Sequence, residues 1–133
     1  MTKLKCIVFI SQEENQQPFQ LAASLDVVKN IQSFNNYSQT LEFIQQYKSI
    51  NNTYPEFIFI DIEKKKNAFD FLTQLTLEMN NENTSKIILL VTPSDFIEIR
   101  KAKKIGIYDY IFKPFTKEGF IKLLQESKKR VTA

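Results

Sequence analysis

The sequence predicts an α/β fold: one domain over residues 1–133, built as a doubly wound, five-stranded parallel sheet flanked by five helices. Three observations carry this. Strand-like apolar runs alternate with helix-like segments five times along the 133 residues, and such alternation argues for parallel strands covered by helices on both faces. Two runs, Phe57-Ile58-Phe59-Ile60 and Ile87-Ile88-Leu89-Leu90-Val91, are apolar without interruption, as strands buried on both faces are. The five units use the whole chain, show no internal repeat and leave no length for a second domain. Right-handed crossovers follow.

Each element has its own signal. Leu4 to Ile10 is the first strand, followed by the polar loop Ser11-Gln12-Glu13-Glu14-Asn15. Pro18 suits the first turn of a helix, where its missing N–H is harmless, and Leu21, Leu25 and Val28 supply an apolar stripe. Lys29 to Phe34 is a weaker strand, expected at a sheet edge. Ser38 is a candidate cap for the next helix, with Leu41, Ile44 and Tyr47 facing inward. Asn51-Asn52-Thr53 and Pro55 break that helix before the strand Phe57 to Asp61. Lys64, Lys65 and Lys66 take the chain back into water.

Asn67 is a candidate cap for a third helix, with Ala68, Leu72, Leu75 and Met79 at helical spacing. Lys86 to Thr92 is the second buried strand. Ser94 or Asp95 then caps a short basic helix that Gly106 ends. Tyr108 to Phe112 is a fifth strand, followed by Lys113-Pro114-Phe115. Thr116 caps the last helix, with Phe120, Leu123 and Leu124 as its buried face.

Composition narrows the chemistry. Apolar residues make up 43% of the chain, with twelve Phe, no Trp and two Gly, enough for a packed interior with few glycine-dependent loops. The net charge is +3, and the lysines are scattered. They read as solvated faces, and no nucleic-acid partner is expected. With no His, histidine general bases and histidine-ligated zinc are excluded. The single Cys, Cys6, permits no internal disulfide and suits a reducing compartment. No signal-peptide pattern or membrane-length apolar run is present. A soluble cytoplasmic protein is expected.

Three polar residues, Asp61, Thr92 and Lys113, each end a strand on the same side of the sheet. In open parallel sheets that edge is where ligands bind. A carboxylate, a hydroxyl and an ammonium together suit phosphoryl transfer to the carboxylate. The Asp attacks phosphorus, the Lys neutralises the phosphoryl oxygens and the Thr hydroxyl bonds one of them. A divalent ion normally completes such a site, because carboxylate and phosphate repel.

The stretches Phe-Ile-Phe-Ile-Asp61, Leu-Leu-Val-Thr92 and Gly106-Ile-Tyr-Asp-Tyr110-Ile-Phe-Lys113-Pro114-Phe115 resemble the receiver domain of two-component response regulators. The resemblance spans the chain. It implies the CheY-like, flavodoxin-type fold with strand order 2-1-3-4-5. It also implies that Asp61 is the phosphoacceptor, Thr92 the switch hydroxyl, Lys113 the phosphate-sensing lysine and Tyr110 the switch aromatic. A histidine kinase or phosphotransfer protein would supply the phosphoryl group. A downstream partner or a homodimer would read the face formed by the fourth helix, fifth strand and fifth helix, since one domain leaves no output module.

Departures cluster at the metal site. Receiver domains carry an acidic pair after the first strand; Ser11 and Gln12 stand there. Glu13 and Glu14 reach a metal only if that loop is shifted, and otherwise read as first-turn acids favoured by a helix dipole. The candidate magnesium ligands are therefore Asp61, the backbone carbonyl of Glu63, Gln12 and Glu13, and weak binding is expected. The loop after Asp61 lacks the family's Pro and Gly, Pro93 replaces the small residue after the switch hydroxyl, and Ile107 stands where Ala is usual.

Two other readings compete. A degenerate receiver, an interaction module that no longer takes phosphate, is favoured by Ser11, Gln12 and Pro93; Tyr108 is then a candidate anchor for a partner. Phosphohydrolases of the haloacid dehalogenase type also combine Asp, Thr and Lys on a parallel sheet. Their nucleophile, however, lies on the first strand of the motif order with a second Asp two residues on. Asp61 is on the third strand, and two residues on stands Glu63. A flavin site fails because Glu13 and Glu14 occupy the first loop, where phosphate needs small hydroxyl residues.

Overall fold

The computed structural model describes residues 4–10, 28–61, 68–79, 85–92, 94–113 and 116–132. In chain order they form β1 (Leu4–Ile10), β2 (Val28–Phe34), α1 (Tyr37–Asn51), β3 (Phe57–Asp61), α2 (Ala68–Met79), β4 (Lys86–Val91), α3 (Phe96–Ile105), β5 (Asp109–Phe112) and α4 (Lys117–Thr132). The strands form one sheet in the order β2-β1-β3-β4-β5, and every neighbouring pair is parallel. Four helices are described. The helix expected around Pro18 to Leu25 and the Asn67 cap lie outside the described residues.

Alternation along the strands builds two cores. Val8, Ile58, Ile60, Ile87, Leu89 and Val91 face Ile44 of α1, Phe71, Leu72, Leu75 and Met79 of α2, and Ile99 and Ala102 of α3. Phe57, Phe59, Ile88 and Leu90 face Phe120 and Leu124 of α4. The rings of Phe59 and Phe120 lie 5.3 Å apart. β3 is buried at all five positions, which explains its unbroken apolar run.

Several boundaries differ from the expectation, each for a local reason. Val28 opens β2, paired with Leu4, rather than completing the preceding helix. α1 is capped by Asn36, not Ser38: the Asn36 side chain accepts from the Gln39 N–H at 3.1 Å. Asn is at least as good a cap as Ser, and Tyr37 already belongs to the helix. Asn52 ends α1 in the left-handed region at φ 57°, which Asn tolerates. β4 stops at Val91, leaving Thr92 just past it. β5 starts at Asp109; Tyr108 precedes it and donates its N–H to the Ile87 carbonyl at 2.8 Å. Tyr108 is half-buried against the α4-side core with its phenolic oxygen buried, under the Lys86 ammonium. It is not an exposed anchor.

Two expected helix ends hold. Gly106 closes α3 at φ +129°, its N–H on the Ala102 carbonyl at 2.9 Å; an L side chain there would be strained. The Thr116 hydroxyl accepts from the Gly119 N–H at 3.0 Å at the start of α4.

Candidate functional site

Register brings the polar strand ends together. Asp61 pairs with Leu90, and Leu90 with Ile111. Side chains alternate within a strand, so Asp61 shares its sheet face with Phe57 and Phe59, the α4 side. Thr92 and Lys113 directly follow β4 and β5, at the same carboxyl edge of the sheet.

Asp61 is 1% exposed. A buried carboxylate is costly unless it is paired. Lys113 supplies the pair: its Nζ donates to Oδ1 and to Oδ2, each at 3.0 Å. β5 lies two strands from β3, about 10 Å away, a span that needs a side chain as long as lysine. The Lys113 N–H is itself fixed on the Val91 carbonyl at 2.7 Å, so the ladder continues one residue beyond β5 and aims the side chain inward.

Thr92 is held differently. Its backbone N–H donates to Asp95 Oδ2 at 2.7 Å and its hydroxyl to the same oxygen at 3.0 Å. The Ser94 hydroxyl lies 2.9 Å from Thr92 Oγ1. The expected convergence of carboxylate, hydroxyl and ammonium is thus met by Asp61 and Lys113, while the Thr92 hydroxyl turns to the start of α3. Asp95 is the N-cap residue of α3 but makes no side-chain cap bond to that helix.

Tyr110 is half-buried against the α2–α3 side of the core, edge-on to Phe112 at 5.5 Å and beneath the Lys103 ammonium at 5.2 Å. A residue missed by the sequence reading is Tyr37, in the first turn of α1. Its ring stacks on Phe71 at 4.7 Å, and its phenolic oxygen is buried. Burial, and secondly the charge of Asp61, push its phenol up to about 12. The available signal was positional: Tyr37 follows the carboxyl end of β2, on the edge that carries Asp61.

Ser11, Gln12, Glu13, Glu14 and Glu63 lie outside the described residues, as do Pro93 and Pro114. Among the described residues no group of three His, Cys, Asp or Glu gathers that could hold a metal ion. Asp61 contributes one carboxylate, and Lys113 engages both of its oxygens. That donor set does not by itself fit a divalent cation, which takes about six oxygens.

No family model matches the chain, and no curated protein matches it. Solved structures do. The receiver domain of the TMAO respiratory system response regulator TorR is similar at a TM-score of 0.73 and 20% identity, over 95% of this chain and 98% of that one. A two-component response regulator from Cytophaga hutchinsonii gives 0.75 and 20%, over 93% and 96%. The Vibrio cholerae chemotaxis protein CheY4 gives 0.75 and 16%, over 92% and 98%. At such identities the likeness is one of fold.

Proposed function

We propose that this chain, which has the CheY-like receiver fold, works as a phosphoacceptor signalling domain with Asp61 as the acceptor. One observation carries the reading: a buried carboxylate at the carboxyl end of the central strand, with both oxygens held by Lys113 at 3.0 Å. An Asp61 oxygen attacks phosphorus. The bond to the donor's leaving group breaks, and the leaving group departs with the electron pair. An acyl phosphate results, and Lys113 passes from the carboxylate to the phosphoryl oxygens, where negative charge now lies. The phosphoryl oxygens then attract the Thr92 hydroxyl. A histidine kinase or phosphotransfer protein is the donor we infer.

The output is protein binding rather than catalysis. α3, β5 and α4 correspond to the fourth helix, fifth strand and fifth helix of the sequence reading. Phe96 and Ile97 on α3, 68% and 67% exposed, and Phe112 on β5 offer apolar surface there. A partner protein or a second copy would read it. Magnesium is expected to bind weakly, since neutral Ser11 and Gln12 stand where carboxylates serve in receiver domains. No described helix is long and apolar enough to cross a membrane.

A degenerate receiver is the second reading, favoured by the same neutral Ser11-Gln12 pair and by Pro93 after the switch hydroxyl. Intact-protein mass after incubation with acetyl phosphate and magnesium separates the two. The wild-type chain should gain one acid-labile phosphoryl group and Asp61→Asn none. No gain by the wild type would favour the degenerate module, and equal labelling of Asp61→Asn would remove Asp61 from the role.

A further inference from the structure

We propose that Asp95 is a positioning residue that holds the Thr92 hydroxyl away from Asp61, so that a phosphoryl group must win this hydroxyl from it. The inference rests on the reading of Asp61 as the phosphoacceptor. A hydroxyl has one proton to donate. In the structure its charged acceptor is Asp95 Oδ2, 3.0 Å from Thr92 Oγ1. Phosphoryl oxygens are acceptors too, so they compete with Asp95 for the same proton.

Asp95 is well placed to compete. It is half-buried, and its Oδ2 also takes the Thr92 N–H at 2.7 Å, which fixes the carboxylate against the hydroxyl. Bonds to an ionised acceptor are roughly twice as strong as neutral ones. An Asp at an N-cap usually accepts from the N–H groups of its own helix; Asp95 makes no such bond, and its carboxylate is used on Thr92 instead. The backbone carries the linkage onward. The Asp95 N–H donates to the Thr92 carbonyl at 3.0 Å, and the Asp95 carbonyl accepts from the Ile99 N–H at 2.9 Å. Once the hydroxyl leaves, the Asp95 carboxylate can turn to the first N–H groups of α3. The start of that helix, with the exposed Phe96 and Ile97, then shifts with it.

The test is a double-substitution cycle read by the affinity for beryllofluoride, a phosphoryl mimic, in excess magnesium, followed by tyrosine fluorescence. Asp95→Ala removes the competitor and should tighten binding about tenfold, the scale of one hydrogen bond to a charged group. Asp95→Asn, a weaker acceptor of similar shape, should tighten it less and serves if Asp95→Ala does not fold. In a Thr92→Val background neither substitution should change affinity, because the contested proton is absent. An Asp95 effect of equal size in both backgrounds would mean a purely structural role and overturns the inference. So does an unchanged affinity in Asp95→Ala while the wild type binds. Failure of the wild type and both Asp95 variants to bind removes the phosphoacceptor reading itself and the inference with it. Binding by Asp95→Ala alone supports the inference.

Discussion

Tyr37 reports on Asp61 from a neighbouring element. An unfolded tyrosine gives up its proton near pH 10, whereas folded Tyr37 keeps its proton to about 12, chiefly through burial and then through the Asp61 charge. Between those values the folded state binds more protons than the unfolded one. The contribution of Tyr37 to stability is therefore intact below pH 10 and is lost as pH rises through 12. Ultraviolet titration should show a late tyrosine step near pH 12, and Tyr37→Phe should remove the Tyr37 contribution to it. Asp61→Asn should move the step down while leaving it above 10, since burial remains. A late step unmoved by Asp61→Asn would disconnect the two residues.

At the scale of elements, stability rests on how each helix starts and what it covers. The Asn36 side chain satisfies one of the free N–H groups opening α1. Asn36→Ala should cost about 1 kcal/mol. α4 covers its face of the sheet mainly through Phe120, fully buried, and Leu124. Phe120→Ala should cost about 3–5 kcal/mol, because it leaves a cavity against Phe59. Urea denaturation checks both, and near-equal losses would contradict this division between surface cap and core. Gly106 is a third kind of case. A Cβ there would meet Thr76 no closer than 3.9 Å, so its constraint is the backbone's positive φ rather than space.

At the scale of the whole molecule, the sheet is a frame that delivers polar residues to one edge. β3 and β4, buried on both faces, place Asp61 and Thr92; β5 places Lys113. Charge balance at that edge governs the metal. With Ser11 and Gln12 neutral, calorimetric titration should show weak magnesium binding. A Ser11→Asp, Gln12→Asp double variant should bind about tenfold tighter or more, because ligand charge sets the affinity of oxygen sites. Tight binding by the native chain would instead point to Glu13 or Glu14 as ligands.

Much of this was legible in the residues alone. The unbroken apolar runs identified β3 and β4 because a strand covered on both faces has no polar position to spare. Asp61, Thr92 and Lys113 were legible as strand ends. Gly106 and Thr116 were legible as helix punctuation, because their roles are local. The choice of Asn36 over Ser38 was not, since two cap-forming residues on either side of Tyr37 compete and tertiary packing decides the frame. Nor was the partner of each polar group. Sequence determined that a carboxylate, a hydroxyl and an ammonium would share one edge of a parallel sheet. Only the tertiary structure decided that Lys113 closes on Asp61, that Asp95 takes the Thr92 hydroxyl and that Tyr37 feels the Asp61 charge. Strand periodicity sets the face from which a side chain leaves, but its hydrogen-bond partner is settled among groups brought close by folding.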